Sequence, residues 1–361
     1  MRRRPLPGTD LSLSVLGLGL WAMGGKYWGP PRPDEDAVAT LQAAVDLGVN
    51  WFDTAPLYGE GHADTLLRRA FGPRLKDVIV ATKVGVRWRG SRGHAESDLS
   101  PAHIVEDAEA SLTRLGLETI PLLQVHWPCE RGTPLAETLG ALTTLQTQGK
   151  IQHFGLCNYG PEALAEARAL APIVSLQTPY SLLRRELEGP LLSAASGLGV
   201  LAYEPLCRGL LSGKYTGNPR FGDDDQRSWD ERFQGHRLRH AQSLTAELGR
   251  IAARVGVPTS AVAIGWAIAQ PGVTAVIAGA RTPQQLRENV QADRVAASAK
   301  VVEVISRVAS VLGGGFRGSI APGGGRCEKS TQGREHRRSL GLVRPPRPCP
   351  PASSPPPPPP R

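Results

Sequence analysis

Eight times along this chain a short apolar run gives way to a stretch whose apolar residues recur at helical spacing, and that alternation limits the fold more than anything else in the sequence. The runs are Leu11–Leu20, Trp51–Asp53, Val78–Lys83, Ile120–His126, Gln152–Leu156, Ile173–Gln177, Val200–Tyr203 and Val273–Ala278. The spacing predicts helices over Asp34–Leu47, Ala63–Phe71, Pro101–Leu115, Pro134–Gln148, Pro161–Leu170, Glu186–Ser196, Leu238–Val255, Thr259–Gln270 and Pro283–Gln291. Asp34 and Ser100 stand at cap positions, Pro101 fits a first turn, and Gly48 stops the first helix. Strand, helix and strand in succession mean parallel pairing through crossovers, and eight such units close an α/β (β/α)8 barrel, the TIM barrel. A doubly wound open sheet is the alternative, because periodicity does not distinguish a closed parallel sheet from an open one.

The barrel reading takes in residues 1–312 of a 361-residue chain, a length ample for one large core. From Gly313 the composition changes to two Gly triplets, scattered Arg and the run Pro355–Pro360. Such a segment buries too little to offset its ordering entropy, so 313–361 is expected to be a disordered tail with a polyproline II end. It holds nine Arg or Lys and two Glu, so seven of the nine net positive charges of the whole chain sit there. The remainder is close to neutral and asks for no nucleic-acid partner. The tail reads either as a docking arm or as a translated artefact.

Five scattered cysteines without a CxxC pair suit a reducing compartment and give neither a disulfide frame nor a metal site. Arg2-Arg3-Arg4 ahead of the apolar Leu11–Gly25 has the outline of a secretory leader, but Pro7, Gly8 and Asp10 interrupt it and no cleavage motif follows. The expectation is a cytoplasmic protein, and no apolar run is long enough to span a membrane. Gly17-Leu18-Gly19-Leu20-Trp21-Ala22 fits a dinucleotide fingerprint, yet the glycine- and proline-rich residues after it cannot open the helix that the fingerprint needs. The match reads as chance, with the glycines admitting a cofactor or substrate close to the backbone.

Polar residues cluster where the apolar runs end: Asp53 with Tyr58 just beyond, Lys83, and His126. In a parallel barrel those ends share one rim. Lys83 is unexpected in a buried strand and needs a partner, which Asp53 can be. The stretch Asn50-Trp51-Phe52-Asp53-Thr54-Ala55-Pro56-Leu57-Tyr58-Gly59 resembles the signature of the aldo-keto reductases, and the resemblance extends over roughly Leu11–Asn289. It implies that Asp53, Tyr58, Lys83 and His126 form a catalytic tetrad. Tyr58 would protonate the oxygen as hydride reaches the carbonyl carbon, Lys83 would favour the phenolate, Asp53 would hold Lys83, and His126 would orient the carbonyl.

The same resemblance extends to a cofactor cradle. Gly155-Leu156-Cys157-Asn158 has cysteine where the family usually has serine; Asn158 and Gln177 would grip the nicotinamide carboxamide and Tyr203 would stack on its ring. Glu204 replaces a common serine. Leu206, Gly209 and Lys214 would meet the diphosphate, Gly279 would lie against the cofactor, and Arg281 would pair with a 2′-phosphate, which implies NADPH over NADH. Gln285, Glu288 and Asn289 would face adenine, with Trp21 and Trp88 as walls for a small-molecule carbonyl substrate. The resemblance thus implies an NADPH-dependent reductase of aldehydes or ketones. The other function it allows is a nucleotide-binding regulatory or channel-associated subunit with little turnover. Neither the oligomeric state nor the choice of carbonyl is legible.

Overall fold

The computed structural model describes residues 1–89 and 94–312, and the 313–361 tail lies outside the described residues. The chain opens with a hairpin, β1 (Arg3–Pro5) against β2 (Ser12–Ser14), and continues into β3 (Leu16–Gly19). Then come α1 (Asp34–Asp46), β4 (Trp51–Asp53), α2 (His62–Phe71) and β5 (Ile79–Val84). A second hairpin, β6 (Val86–Arg89) with β7 (His94–Ser97), precedes α3 (Pro101–Leu115), β8 (Ile120–Val125), α4 (Leu135–Thr147), β9 (Ile151–Cys157) and α5 (Pro161–Leu170). The chain continues through β10 (Ser175–Pro179), α6 (Pro190–Ala194), β11 (Gly199–Tyr203), α7 (Gly235–Val255), α8 (Thr259–Ala269) and β12 (Val273–Gly279), and ends in α9 (Pro283–Asn289), α10 (Ala292–Ala296) and α11 (Ala299–Leu312).

Eight strands form a closed parallel barrel in the order β3, β4, β5, β8, β9, β10, β11, β12, and β12 pairs back onto β3 through Val276–Leu16 to Gly279–Gly19. Closure excludes the doubly wound alternative. Apolar side chains on one face of each strand pack under the helices, while Trp51, Ala81, Leu122, Leu201 and Ala275 fill the interior. The first hairpin plugs one end, since Leu6, Leu11 and Leu13 join that interior cluster. The opposite rim, where the strands finish, is left to carry a site.

Several local expectations change. Leu11–Leu20 is two strands, broken at Val15, whose N–H donates to Arg2 O at 3.0 Å. Glu186–Ser196 shrinks to α6, because Pro190 disfavours helix in the residue before it and Gly189 sits at φ 85°. Pro33 is the α1 cap and Asp34 lies in its first turn, while Ser100 holds the α3 cap position without a side-chain cap bond. The β6–β7 hairpin, α10 and α11 carried no sequence expectation. Of the glycines of the false fingerprint, Gly17 serves the barrel itself, since a Cβ there would lie 2.2 Å from the Trp51 ring, while Gly19 lines the open cleft at the rim. Among the described residues no single helix is long and apolar enough to cross a membrane.

Candidate active site

Four side chains from three successive barrel strands and one turn meet at the open rim. Asp53 ends β4, Lys83 lies near the end of β5, and His126 follows β8. Tyr58 stands on the turn between β4 and α2, a turn that closes through Gly59 and Gly61, both at positive φ. Lys83 Nζ donates to Asp53 Oδ1 at 2.7 Å, to Tyr58 OH at 3.0 Å and to Thr54 O at 3.0 Å. His126 presents its ring edge-on to Tyr58, with centroids 6.0 Å apart. Lys83 is 1% exposed and Asp53 3%, so the ion pair is dry.

Burial sets the protonation states. It pushes the Tyr58 phenol up to about 12, and the opposing field of Lys83 is too weak to reverse this. Lys83 therefore moderates the phenol without making it a phenolate. Burial alone would lower the Lys83 pKa, but the charge of Asp53, with Tyr58, Cys157 and the hydrogen bond to Asp53 added, outweighs it and holds the ammonium above its usual value. Burial, and then the Lys83 charge, drive His126 well below its ordinary value, so the imidazole is neutral. The site therefore offers a protonated phenol, a fixed cation beside it and a neutral imidazole.

From this corner a cleft of about 600 Å³ runs across the rim. Asn158 lines it at φ 66°, donating from Nδ2 to His126 O at 3.0 Å and accepting from Tyr203 OH at 2.7 Å. That second bond fixes the Tyr203 ring against the cleft wall. Gln177 lines the cleft as well, and its Nε2 donates to Asp53 Oδ2 at 2.7 Å. Leu206, Gly209 and Lys214 follow along the same wall. Lys214 is exposed, touches the Tyr215 ring at 4.8 Å and has no carboxylate partner among the described residues. At the far end lie Gly279, Arg281, Gln285, Glu288 and Asn289. The Arg281 guanidinium donates to Trp28 O at 2.8 Å and Pro30 O at 2.9 Å, and its backbone N–H donates to Gln285 Oε1 at 2.8 Å. Asn289 Nδ2 donates to Gly279 O at 3.2 Å, and Gln284 donates to Glu288 at 3.0 Å.

Glu204 is built into this wall at φ 54°, with Arg232 at 3.0 Å, Arg208 at 3.2 Å and Arg184 at 3.7 Å. Burial would raise its carboxyl, yet Arg232, Arg208 and Arg184 outweigh burial and hold it at about 2. The residue that replaces the expected serine is therefore the hub of an ion cluster. Trp21 lines the Tyr58 end of the cleft, stacked 6.3 Å from Tyr58, with the Arg208 guanidinium 5.5 Å over its ring. Trp88 lies on β6, but its side chain is outside the described residues. Trp28, Leu57 and Trp127 also line the cleft, as do Arg184, Arg208 and Arg227, none of which the sequence singles out for this place. The only hint is that Trp127 follows His126.

The wall suits a nicotinamide dinucleotide. A Cβ added at Gly279 would meet nothing nearer than Gly19 O at 3.7 Å, so the backbone is open to close approach there. Arg281 is lowered by burial and then by the neighbouring charges of Arg32 and Arg227, a gathering of like charge that an anion would relieve. Among the described residues no group of His, Cys, Asp and Glu has the arrangement of a metal site.

Known proteins are similar to this chain in sequence and in fold. The aldo-keto reductase YhdN of Bacillus subtilis (strain 168) is 37% identical over 292 residues, covering 79% of this chain and 87% of the relative. The NADH-specific methylglyoxal reductase of Escherichia coli (strain K12) is 32% identical over 308 residues, covering 81% and 93%. The solved glycerol dehydrogenase AKR11B4 from Gluconobacter oxydans superposes with a TM-score of 0.79 at 35% identity, over 89% of this chain and 98% of that one. The holo form of aldo-keto reductase AKR11C1 from Bacillus halodurans gives 0.69 at 28%, over 85% and 96%. A sequence profile of the aldo/keto reductase family matches residues 15–310. By barrel, rim and sequence alike, the chain belongs to the aldo/keto reductase family and is an oxidoreductase acting on carbonyls.

Proposed function

We propose that the chain reduces an aldehyde or ketone to the alcohol with NADPH, and that Tyr58 delivers the proton. The observation that carries this reading is the Asp53–Lys83–Tyr58 chain of short bonds beneath an open cleft. A phenol held protonated to about 12 is a donor across the physiological range. A nicotinamide held in the cleft would supply the hydride. Tyr58 meets the oxygen as charge develops on it, and Lys83, 3.0 Å from the phenol oxygen, stabilises the charge left on Tyr58. Asp53 keeps that ammonium in place, and the neutral His126 offers a hydrogen bond to orient the carbonyl.

Tyr203, Asn158 and Gln177 would hold the nicotinamide, and Leu206, Gly209 and Lys214 the diphosphate. Gly279, Gln285, Glu288 and Asn289 would take the adenosine. The preference for NADPH rests on Arg281 beside Arg227 and Arg32, a surplus of guanidinium suited to a 2′-phosphate. One relative is NADH-specific, so this chain's choice depends on its own arginines. Trp21 and Trp127 would wall the carbonyl substrate. The relatives are named as reductases and a dehydrogenase, which favours turnover over the sensing role. Free Cys129, Cys157 and Cys207 fit a cytoplasmic setting.

The test follows NADPH absorbance against a panel of aldehydes, ketones and sugars. Tyr58→Phe should lower turnover about 10²–10⁴-fold while leaving NADPH affinity within about threefold. Turnover equal to the unmodified protein would remove Tyr58 from the reaction.

A further inference from the structure

Gln177 is where the two halves of the cleft join. Its Nε2 donates to Asp53 Oδ2 at 2.7 Å, while Lys83 Nζ donates to Oδ1 of the same carboxylate at 2.7 Å. Both oxygens of Asp53 are thus engaged, each by a different side chain, in surroundings where Gln177 is itself only 3% exposed. A buried ion pair holds its geometry only when its remaining lone pairs are satisfied. Gln177 does that for Asp53, from 124 positions away in the chain. A carboxamide carries two N–H groups and one carbonyl, so the bond to Asp53 leaves one N–H and Oε1. The residue also lines the cleft beside Asn158, whose backbone N–H donates to Gln177 O at 2.9 Å.

We propose that Gln177 is a positioning residue that joins cofactor seating to the catalytic ion pair: one amide hydrogen fixes the outer oxygen of Asp53, and its remaining N–H and carbonyl receive the nicotinamide carboxamide. The proposal rests on the nicotinamide reading above and adds to it a link between binding and proton transfer. Donation from Gln177 draws negative charge on Asp53 away from Lys83 and the phenol. Without it the carboxylate's field at Tyr58 is stronger and the phenol gives up its proton less readily. A cofactor amide docked on the other side of the Gln177 side chain fixes its plane, and with it the carboxylate.

The test is a double-mutant cycle on equilibrium NADPH affinity, read by cofactor fluorescence, with Asp53→Asn, Gln177→Met and both together. Each single substitution is expected to weaken binding about three- to tenfold, and the double to be no weaker than Gln177→Met alone. Additive effects would overturn the link. The second arm is the pH profile of alcohol oxidation at saturating cofactor, where Gln177→Met should move the midpoint up by about one pH unit. A side chain that only grips the carboxamide would leave that midpoint where the unmodified protein has it, again overturning the proposal. Gln177→Glu supplies the donor only while protonated, so it should follow the unmodified profile at low pH and fall away as its carboxyl ionises. If the unmodified protein neither binds NADPH nor reduces any carbonyl, the nicotinamide reading and this proposal fall together. Binding and turnover with an additive cycle and an unmoved midpoint fell the proposal alone.

Discussion

The two ends of the cleft hold their positive charge in opposite ways. At the carbonyl end one ammonium, Lys83, is shut away from water and bonded to Asp53, Tyr58 and Thr54, with no freedom to move. Along the rest of the cleft, from beside Trp21 to Arg281, guanidinium groups crowd together. Arg184, Arg208 and Arg232 share Glu204, Arg227 is held by Asp225 in a bidentate pair, and Arg281 rests on backbone carbonyls. The first arrangement holds the Tyr58 phenol against a fixed cation. The second leaves its positive charge partly neutralised from within, along the cleft wall. One is a single isolated ion pair and the other a shared cluster in which one carboxylate answers several guanidiniums, and the two respond differently to substitution.

Breaking the carbonyl end should have the largest effect. Lys83→Met leaves the Asp53 carboxylate buried and short of its cation, which costs about 3–5 kcal/mol. Chemical denaturation should record that loss, and turnover should fall with it. A stability unchanged within error would mean that the pair contributes nothing to holding the fold together.

The ion cluster should respond next, and to pH. The Glu204 carboxyl is lowered from 4.5 to about 2 on folding. Its contribution is fully present above its unfolded value and is lost as pH falls from there toward the folded one. Integrated, that is on the order of 3 kcal/mol. Glu204→Gln should flatten the acid limb of the stability curve over that window. The substitution also leaves three guanidiniums short of a carboxylate, so stability at neutral pH should drop. An acid limb parallel to that of the unmodified protein would show that Glu204 is not the group responsible.

The smallest effect belongs to the far end. Arg281→Ala should weaken NADPH about 10–100-fold, as expected for a lost hydrogen bond to a charged group, while NADH affinity stays near its starting value. Equal losses for both dinucleotides would assign Arg281 to loop structure, through its bonds to Trp28 and Pro30, instead of to cofactor choice.

How far each end was legible follows from the same contrast. The carbonyl end is made of residues at the finish of successive parallel strands. Once the strands are found by their apolar runs, the barrel brings Asp53, Lys83 and His126 together whatever the details. The arginine end is built on loops. Arg208 at φ 57° and Glu204 at φ 54° take backbone conformations that no periodicity announces, and Arg232 reaches them from a turn in the long connection before α7. The β6–β7 hairpin escaped notice for a related reason: its strands are four residues each, too short for an alternation to stand out from the loop around them.

By itself the sequence determined the alternation of strands and helices, and hence a parallel sheet of eight strands with its chemistry at one rim. It determined as well which residue types gather there. Local periodicity carries that information, because each strand and helix must bury one face wherever it lies in the fold. Only the tertiary structure decided that the sheet closes, that Gln177 meets Asp53, that Glu204 gathers three arginines, and that burial, not Lys83, governs the acidity of Tyr58. Each of these depends on contacts between residues far apart in sequence, or on exclusion of water by the assembled whole, and neither is written in any one stretch of the chain.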